Sequence, residues 1–561
     1  MGPQESYSIR KEASRIFNNV LLRDDRLQLP SEAALVAAKT FFIESDTIDT
    51  PYLPVPYKFT ESSAALWALA ATLGNVMVQD RFGIEQAVHI NTDLASLFLM
   101  SAGLARVDGK ALNDPSIASR YLKYDLGRSF DPYRRLCTNV YRTRDHRFFH
   151  LHGSMNADKS LTMVNLPLKK DNPGTPTDII FTYASQMIEL DSDWLDAEAN
   201  DHWRQAGTVC LTEDEFRASP QGQAIRNDGI YNITPFDQDM LPPAPYPETK
   251  GNGCRSRPLE GLRVLDISRV IAAPTIGKLA ALFGATVIRV SCTSQPDVGP
   301  LLVEGNLGKR DVSINLKSIE GRKTLRNLLD TTDIVIDGYR PGALERLGFG
   351  DAYIRTIAKR RGQGIVILRE NCYGWKGPWA ARSGWQQVSD CFTGVAWGMG
   401  EFLGLDEPVV PLLPNSDYQT GLAGLIGILS AIHQRSKKGG SYNIDVSLSQ
   451  FNQFLLGLGK HSAQVQQDLR TLHPNLKVRH YDDMMSLTEK FMRTAYENTP
   501  QLFNPRYFDE IQSRFNGLGG QTETLRYVRS AALYDVTELG YDIGSCFLDT
   551  YPPEWPGDAA V

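Results

Sequence analysis

One acidic side chain has both the chemistry and the setting of a nucleophile. Asp417 stands just before residues 420–433, a run that is almost wholly apolar and predicts a buried helix. The free N–H groups and the dipole at the start of a helix stabilise an ionised carboxylate. Such a carboxylate can form a covalent acyl intermediate. It can equally serve as a helix cap, because Asp is a favoured N-cap residue.

Three histidines have a spacing that could bind a metal ion. His146, His150 and His152 alternate along a β-hairpin predicted over residues 137–154, which would place them on one strand face. No Cys or carboxylate stands at ligand spacing nearby. The seven cysteines of the chain include no CxxC pair, so neither a zinc ribbon nor a disulfide framework is indicated. We therefore expect structural histidines and no metal site.

The elements that would position Asp417 lie in the second half of the chain. Short β-branched runs alternate there with helical stretches, and apolar strands separated by helices indicate a buried parallel sheet. The predicted strands are residues 262–267, 285–290, 312–316, 333–337 and 364–368. The predicted fold class is α/β, with a Rossmann-like parallel sheet domain and a smaller α+β domain. No GxGxxG follows the first strand, so a nicotinamide or flavin cofactor is not indicated.

Prolines divide the chain into two halves. Residues 235–257 contain five prolines, lack apolar periodicity and predict a semi-rigid linker. We predict a first half over 1–234, a Rossmann-like domain over 258–460, and a C-terminal helical segment over 461–561 that wraps back on the core.

The first half contains a pattern that repeats part of the second. A small-residue apolar helix over 63–73, a short strand over 87–90 and an apolar helix over 94–99 follow one another in the order seen in residues 420–458. This order indicates a degenerate duplication. Similar composition alone could also make two buried helices look alike.

Composition and charge exclude several classes of protein. Lys and Arg total 59 against 65 Asp and Glu, a net charge of −6, which argues against a dedicated nucleic-acid binder. No apolar run approaches the roughly 20 residues that span a bilayer, and the first residues do not form a signal peptide. Scattered cysteines fit a reducing compartment. We expect a cytoplasmic protein with no membrane or nucleic-acid partner.

An ordered series of segments resembles the class III CoA-transferase family. That family includes formyl-CoA and carnitine CoA-transferases and α-methylacyl-CoA racemases. The similar segments are 258–270 (PLEGLRVLDISRV), 284–289 (GATVIR), 308–310 (GKR), 314–321 (INLKSIEG), 338–348 (GYRPGALERLG), 374–378 (GWKGP) and 417–421 (DYQTG). The likeness is dense over 258–460 and thinner over 55–155, which looks like a decayed second copy.

The resemblance implies a CoA-transferase with Asp417 as its nucleophile. CoA would move from an acyl-CoA to a free carboxylic acid through an aspartyl mixed anhydride and an aspartyl–CoA thioester. Acyl-CoA and the acid would be substrates, with no tightly bound cofactor. The family's interlocked dimers imply either a homodimer or a pseudo-dimer within this chain. By the resemblance, the CoA-contacting positions are Val270, Ile271, Ala272, Ile314, Lys317, Tyr339, Arg346 and Leu347.

Three departures from the family pattern leave a second interpretation open. Ile271 stands where formyl-CoA transferases often have glutamine, and Cys292 replaces an arginine after the second strand. Gln386 replaces an acidic residue found near the active aspartate in some members. A CoA- or acyl-CoA-binding homologue without transferase activity is the alternative that these changes suggest.

Two further comparisons limit the chemistry. Family racemases place a histidine where this chain has Trp385, and an indole cannot serve as the base that racemisation needs. Racemisation is therefore the weaker alternative. In the first half, the positions equivalent to Asp417 fall near Lys58 and Phe59, where no acid stands. We therefore expect one active centre per chain.

Overall fold

The computed structural model describes residues 7–236, 241–248 and 255–557. Within these ranges the strands are, in chain order, β1 (Thr40–Ile43), β2 (Val88–Asn91), β3 (Arg106–Val107), β4 (Lys110–Ala111), β5 (Asn139–Arg142), β6 (Phe148–His152), β7 (Ala206–Val209), β8 (Asn232–Pro235), β9 (Arg263–Ile267), β10 (Thr286–Ser291), β11 (Lys309–Ser313), β12 (Ile334–Asp337), β13 (Val366–Asn371), β14 (Tyr442–Ser447), β15 (Phe508–Ser513), β16 (Glu523–Val528) and β17 (Ala532–Tyr534).

The helices of the same ranges vary from single turns to 24 residues. They are α1 (Ile9–Arg15), α2 (Ala33–Ala37), α3 (Phe59–Phe82), α4 (Thr92–Phe98), α5 (Ser101–Leu104), α6 (Pro115–Tyr121), α7 (Pro132–Arg135), α8 (Asp158–Met163), α9 (Pro176–Met187), α10 (Ser192–Ala197), α11 (Glu213–Ala218), α12 (Pro220–Ile225), α13 (Ala272–Leu282), α14 (Gly299–Gly305), α15 (Ile319–Leu329), α16 (Ala343–Arg346), α17 (Asp351–Arg361), α18 (Gln386–Phe392), α19 (Val395–Phe402), α20 (Asn415–Lys438), α21 (Leu448–Gly457), α22 (Ala463–Leu472) and α23 (Met484–Asn498). Short π-helical turns (Ile16–Leu21, Glu198–His202) and 3₁₀ turns (Asp25–Leu27, Leu122–Tyr124, Pro500–Phe503, Pro505–Tyr507) link some of them.

The predicted parallel sheet is confirmed. A seven-stranded sheet has the order β11-β10-β9-β12-β13-β14-β8, and all neighbouring strands run parallel except the edge pair β14–β8. β10 and β11 are added on one side of β9. β12, β13 and β14 are then added on its other side. The strand order therefore reverses between β9 and β12, and ligands of open parallel sheets bind outside the carboxyl ends at such a switch point.

One predicted strand is out of position by three residues. The strand predicted over 312–316 is β11, which begins at Lys309. Its first residues are charged, so they do not look like the interior of a buried strand. Their charges are neutralised by neighbouring strands: Lys309 pairs with Asp266 of β9, and Asp311 pairs with Arg289 of β10.

The two long apolar helices are equal in length and pack against each other. The predicted helices over 63–73 and 420–433 extend to α3 and α20, each of 24 residues, and both end at a glycine with positive φ, Gly83 at 68° and Gly439 at 77°. A strand and a helix follow each of them, β2 and α4 in the first half and β14 and α21 in the second.

The first half is joined to the second by the main sheet. β8 lies before the predicted linker and pairs with β14, and Pro235, the first residue of that linker, is the last residue of β8. Linker residues 237–240 and 249–254 lie outside the described residues. In the described part, Ala244 N donates to Arg435 O over 3.1 Å. The hairpin predicted over 137–154 is confirmed by β5 and β6, which, with β7, α8, α9 and α10, surround a separate small core.

The prediction that residues 461–561 are helical is wrong for the second part of the segment. After α23 the chain forms β15, β16 and β17, and β16 and β17 pair with β3 and β2 from the first half. These partner strands lie more than 400 residues earlier, so the local pattern could not reveal the pairing. Further on, Trp555 packs beside the main sheet and donates to Leu328 O over 3.0 Å. Residues 558–561 lie outside the described residues.

Candidate active site

A strained turn occupies the switch point of the main sheet. Val270 has φ 75°, a left-handed conformation that costs a β-branched residue about 1–3 kcal/mol. Ile271 follows as the N-cap of α13, and Ala272 is its first residue. Gly338, directly after β12, lets this turn approach the sheet, because a Cβ at Gly338 would lie 2.5 Å from Cβ of Ala273. Three sequence-predicted CoA positions therefore lie together at the expected place.

A buried ion pair anchors the turn at residues 268–272 to the main sheet. Lys309 Nζ donates to Asp266 Oδ2 over 2.7 Å and to Pro274 O over 2.6 Å, and neither Lys309 nor Asp266 is exposed. The other oxygen of Asp266 accepts from the Ser268 hydroxyl. These bonds connect β9, β11 and the first turn of α13, so they fix both ends of residues 268–272.

The remaining predicted CoA positions lie along the same edge of the sheet. Ile314, Tyr339 and Leu347 contribute to one apolar cluster on the face opposite α13, and burial raises the pKa of Tyr339. Lys317 and Arg346 are exposed. These residues therefore form two groups. One is an apolar cluster that can contact a nucleotide base, and the other is a pair of accessible cations that can approach phosphates.

Arg269 is a candidate that the sequence comparison did not single out. Its Nη2 atom is buried and, within the described residues, has no hydrogen-bond partner. The guanidinium is close enough to Tyr339 to oppose the burial-driven rise in the pKa of that phenol. An unpaired guanidinium N–H is suited to an anion such as phosphate. The available signal was a cation in the turn after the first strand of a parallel sheet.

Asp417 lies at the start of α20, beside the start of α13. The helix begins at Asn415, so Asp417 is its third residue, and the N-cap position belongs to Pro414. One turn later Gly421 packs against α13, where an added Cβ would lie 2.5 Å from Thr275 Cγ2. Asp417 is 9% exposed, and within the described ranges its carboxylate accepts no hydrogen bond. The capping role that the sequence left open is therefore not the one it has.

Other acidic groups surround Asp417. Burial, then the nearby carboxyls of Glu370 and Asp390, raises the pKa of Asp417 well above its usual range. Burial and Asp337 raise the pKa of Glu370 to about 8. Cys372 lies in the same group, because its thiol interacts with all three of Glu370, Asp390 and Asp417. Sequence reasoning missed these neighbours, which come from different elements.

An acid is present near Asp417 despite the glutamine at position 386. Gln386 Nε2 donates to Asp390 Oδ2, one helical turn further along α18. Asp390 Oδ1 also accepts from Asn452 Nδ2 over 2.8 Å and from Ser416 Oγ over 3.2 Å. All its partners are neutral, so burial raises the pKa of Asp390 to about 7. Gln386 therefore orients an acid rather than replacing one.

The first half supplies a histidine ring that packs on Trp385, the residue before α18. His152 stacks on Trp385 with ring centroids 5.1 Å apart and an interplanar angle of 5°. His150 is also buried, and burial lowers its pKa to about 4, whereas His146 lies in the hairpin turn with φ 62°. Within the described residues no group of three or more His, Cys, Asp or Glu side chains has the geometry of a metal site.

The first half also contains an acid at a helix position like that of Asp417. When α3 and α20 are aligned by their ends, Glu61 is the third residue of α3, as Asp417 is of α20. The sequence comparison placed Lys58 and Phe59 near this position, two to three residues earlier. Glu61 is 1% exposed and accepts a 2.8 Å hydrogen bond from the Tyr7 hydroxyl. Glu61 is thus buried and hydrogen-bonded, whereas Asp417 has no such partner among the described residues.

Comparison with known proteins identifies the family. The profile of CoA-transferase family III matches residues 259–480. Acetyl-coenzyme A transferase nodX of Hypoxylon pulicicidum is 34% identical over 565 residues, covering 98% of this chain and 94% of that protein. The chain belongs to CoA-transferase family III. This family III member is therefore an enzyme of the CoA-transferase class, and the resemblance seen in its motifs is confirmed.

A further relative agrees with the assignment of this family III enzyme. An acyl-CoA transferase of Gibberella moniliformis is 29% identical over 416 residues, 72% of each chain. A solved structure of a Mycobacterium tuberculosis protein in an orthorhombic crystal form aligns with a TM-score of 0.39 and 21% identity, over 52% of this chain and 97% of that one. Among the described residues, no helix combines the length and apolar character needed to cross a bilayer.

Proposed function

We propose that this enzyme moves CoA between an acyl-CoA and a free carboxylic acid through a covalent intermediate on Asp417. The observation that carries the proposal is the setting of this carboxyl group. It lies in the first turn of α20 beside the start of α13, remains 9% exposed, and has no hydrogen-bond partner among the described residues. A carboxylate with no structural partner is free to react.

The surrounding charges favour one ionised acid at a time. Burial and the neighbouring acids oppose ionisation of Asp417, while the free N–H groups of the first turn of α20 favour it. Because Asp417, Glu370 and Asp390 repel one another when charged, ionisation of Asp417 favours protonation of the other two. In the reactive state Asp417 is the carboxylate and its neighbours are neutral.

The reaction then proceeds in balanced steps. An oxygen of Asp417 attacks the thioester carbon, the C–S bond breaks, and CoA leaves as the thiolate to give a mixed anhydride. The thiolate attacks Cγ of Asp417, which releases the first acid as its carboxylate and forms an aspartyl–CoA thioester. The second acid reverses these steps, leaves as its CoA ester and restores the Asp417 carboxylate.

CoA would bind along the carboxyl edge of the main sheet. The turn at the start of α13 would contact the thiol end of CoA, and the apolar cluster would contact its adenine. The cations would contact its phosphates. In that order the proposed residues are Val270, Ile271 and Ala272; Ile314, Tyr339 and Leu347; and Arg269, Lys317 and Arg346.

We also propose that the chain is a pseudo-dimer with one active centre. The support is the equal length of α3 and α20, their mutual packing and the strand and helix that follow each. Glu61, the counterpart of Asp417, is buried against Tyr7 and has no access to substrate. The first half then has a structural role and contributes His152 to the wall behind Trp385.

Chemical trapping tests the covalent step. The enzyme is incubated with acetyl-CoA, treated with hydroxylamine or borohydride, digested and analysed by mass spectrometry. We expect modification of the peptide that contains Asp417 and none in Asp417→Asn. Glu61→Gln, a matched change of a buried acid at the same helical position, should be modified like wild type. An unmodified Asp417 peptide together with a fully active Asp417→Asn variant would refute the proposal.

A further inference from the structure

Glu370 faces the nucleophile because of strand and helix geometry. Val366 and Leu368 of β13 belong to the core beneath α13 and α20, whereas Ile367 belongs to the core on the opposite face. Side chains of a strand alternate between faces, so Glu370 points to the same side as Leu368. A Cβ at Gly424 of α20 would lie 3.3 Å from Leu368 Cδ1.

The nucleophile is two helical turns before that contact. Asp417 precedes Gly424 by seven residues, which returns to the same helix face. A helix that packs antiparallel on a parallel strand brings its N-terminus over the strand's carboxyl end. Glu370 and Asp417 therefore face each other at this edge, close enough for their charges to interact.

In the part of the chain that the structure describes, no cation pairs with Glu370. Within the described ranges its carboxyl makes no hydrogen bond or ion pair, and the residue is half-buried. Arg369 points to the opposite face of β13, where it binds Asp351 and Asp445 over 3.2 and 2.7 Å. The groups whose charges interact with Glu370 are acids or a thiol. They are Asp417 from α20, Cys372 after its own strand, and Asp337 of β12, which pairs with Arg369 and shares its face of the sheet.

We propose that protonated Glu370 donates a hydrogen bond to the carboxylate of the acid substrate at Asp417, and that the site accepts monocarboxylic acids in preference to dicarboxylic acids. The inference rests on the proposed function and adds the substrate class to it. Ionised Glu370 would repel the substrate carboxylate, whereas protonated Glu370 can donate a hydrogen bond to it. Among the described groups that interact with Asp417, Glu370 and Asp390 there is no cation to pair with a second carboxylate on the substrate. Burying an unpaired charge is costly, so a second carboxylate would be excluded.

The pH dependence of acid binding follows from the same geometry. Glu370 has a pKa of about 8, so it is protonated below that pH and ionised above it. The affinity for a carboxylate should therefore fall as the pH rises through this value. Glutamine at this position donates at every pH and carries no charge. Leucine has similar volume and donates nothing.

Steady-state kinetics with acetyl-CoA and short carboxylic acids test the proposal. In wild type the KM for propionate should rise about tenfold or more between about pH 6 and pH 9. Glu370→Gln should keep the low-pH value throughout, and Glu370→Leu should show a KM about tenfold higher at every pH. Succinate and malonate should be poorer substrates than propionate by about tenfold or more. Glu61→Gln, the matched change of another buried glutamate, should follow wild type.

The outcomes separate this inference from the proposed function. If Asp417 is trapped with acetyl-CoA but the Glu370 variants leave the KM for propionate and its pH profile unchanged, the role of Glu370 is overturned. Equal use of succinate and propionate overturns the substrate class. If wild type shows no adduct on Asp417 at all, the proposed function itself fails. Thermal unfolding of each variant checks that the fold is intact, and Glu370→Gln, which preserves shape, remains informative if Glu370→Leu does not fold.

Discussion

The replacement of Lys309 by methionine tests how the fold holds the active-site turn. Lys309 and Asp266 are completely buried and joined over 2.7 Å, and Lys309 also binds Pro274 O in the first turn of α13. Lys309→Met leaves Asp266 buried without its ion-pair partner; of its side-chain bonds within the described residues, the one from the Ser268 hydroxyl remains. Removing one member of a buried pair typically costs about 3–5 kcal/mol, because the other charge remains uncompensated.

The double variant supplies the magnitude check. In Asp266→Leu with Lys309→Met, no charge is left unpaired, so most of the loss should be recovered. Urea unfolding followed by circular dichroism gives the free energies, and calorimetry gives the affinity for CoA, which should fall in the single variant because the turn at Val270 loses its anchor. Arg360→Ala removes an exposed pair with Asp330 and should cost less than about 1 kcal/mol. A cost for Lys309→Met no larger than that of Arg360→Ala, with CoA affinity unchanged, would refute the reasoning.

Two other variants test charges placed by the fold. Arg269→Met should weaken CoA binding in calorimetry by about tenfold, because a charge-assisted hydrogen bond to phosphate is lost, and Arg269→Lys should restore part of it; equal affinities would contradict the role of Arg269. Burial raises the pKa of Glu61 to about 7, so the folded chain holds a proton there that the unfolded chain releases above its ordinary pKa near 4.5. Stability should therefore decrease as the pH rises from about 4.5 to about 7, and Glu61→Gln should remove this decrease, a gain on the order of 3 kcal/mol near neutral pH in urea unfolding. An unchanged pH dependence in Glu61→Gln would contradict it.

The main sheet and its edge were predictable because their signals are local. Strands apolar on both faces, separated by helices, can form only a covered parallel sheet, and the motif positions fall at the carboxyl ends of those strands. The start of β11 was missed because Lys309 and Asp311 resemble surface residues until their partners on β9 and β10 are known. β15, β16 and β17 were missed because two of them pair with strands from the opposite end of the chain.

The surroundings of Asp417 depend on contacts that no local pattern contains. In the sequence Glu370 is simply one residue of a predicted strand. That its side chain points toward Asp417 is clear only once α20 is known to cover the face that Leu368 occupies. In the sequence Asp390 looks like an ordinary acid on a helix. In the structure it is a buried acid that accepts hydrogen bonds from Gln386, Asn452 and Ser416. Asp390 is an acid that lies near Asp417, one helical turn after Gln386, where the family comparison expected one.

Isotope transfer tests the central claim most directly. The enzyme is allowed to turn over with acetyl-CoA and propionate carrying oxygen-18 in its carboxylate, and the peptide containing Asp417 is then weighed. When propionate attacks the aspartyl thioester and leaves as propionyl-CoA, one of its carboxylate oxygens stays on Asp417, so the peptide should gain the mass of an oxygen-18 substitution. Formation of propionyl-CoA without label on Asp417 would contradict covalent transfer through this residue.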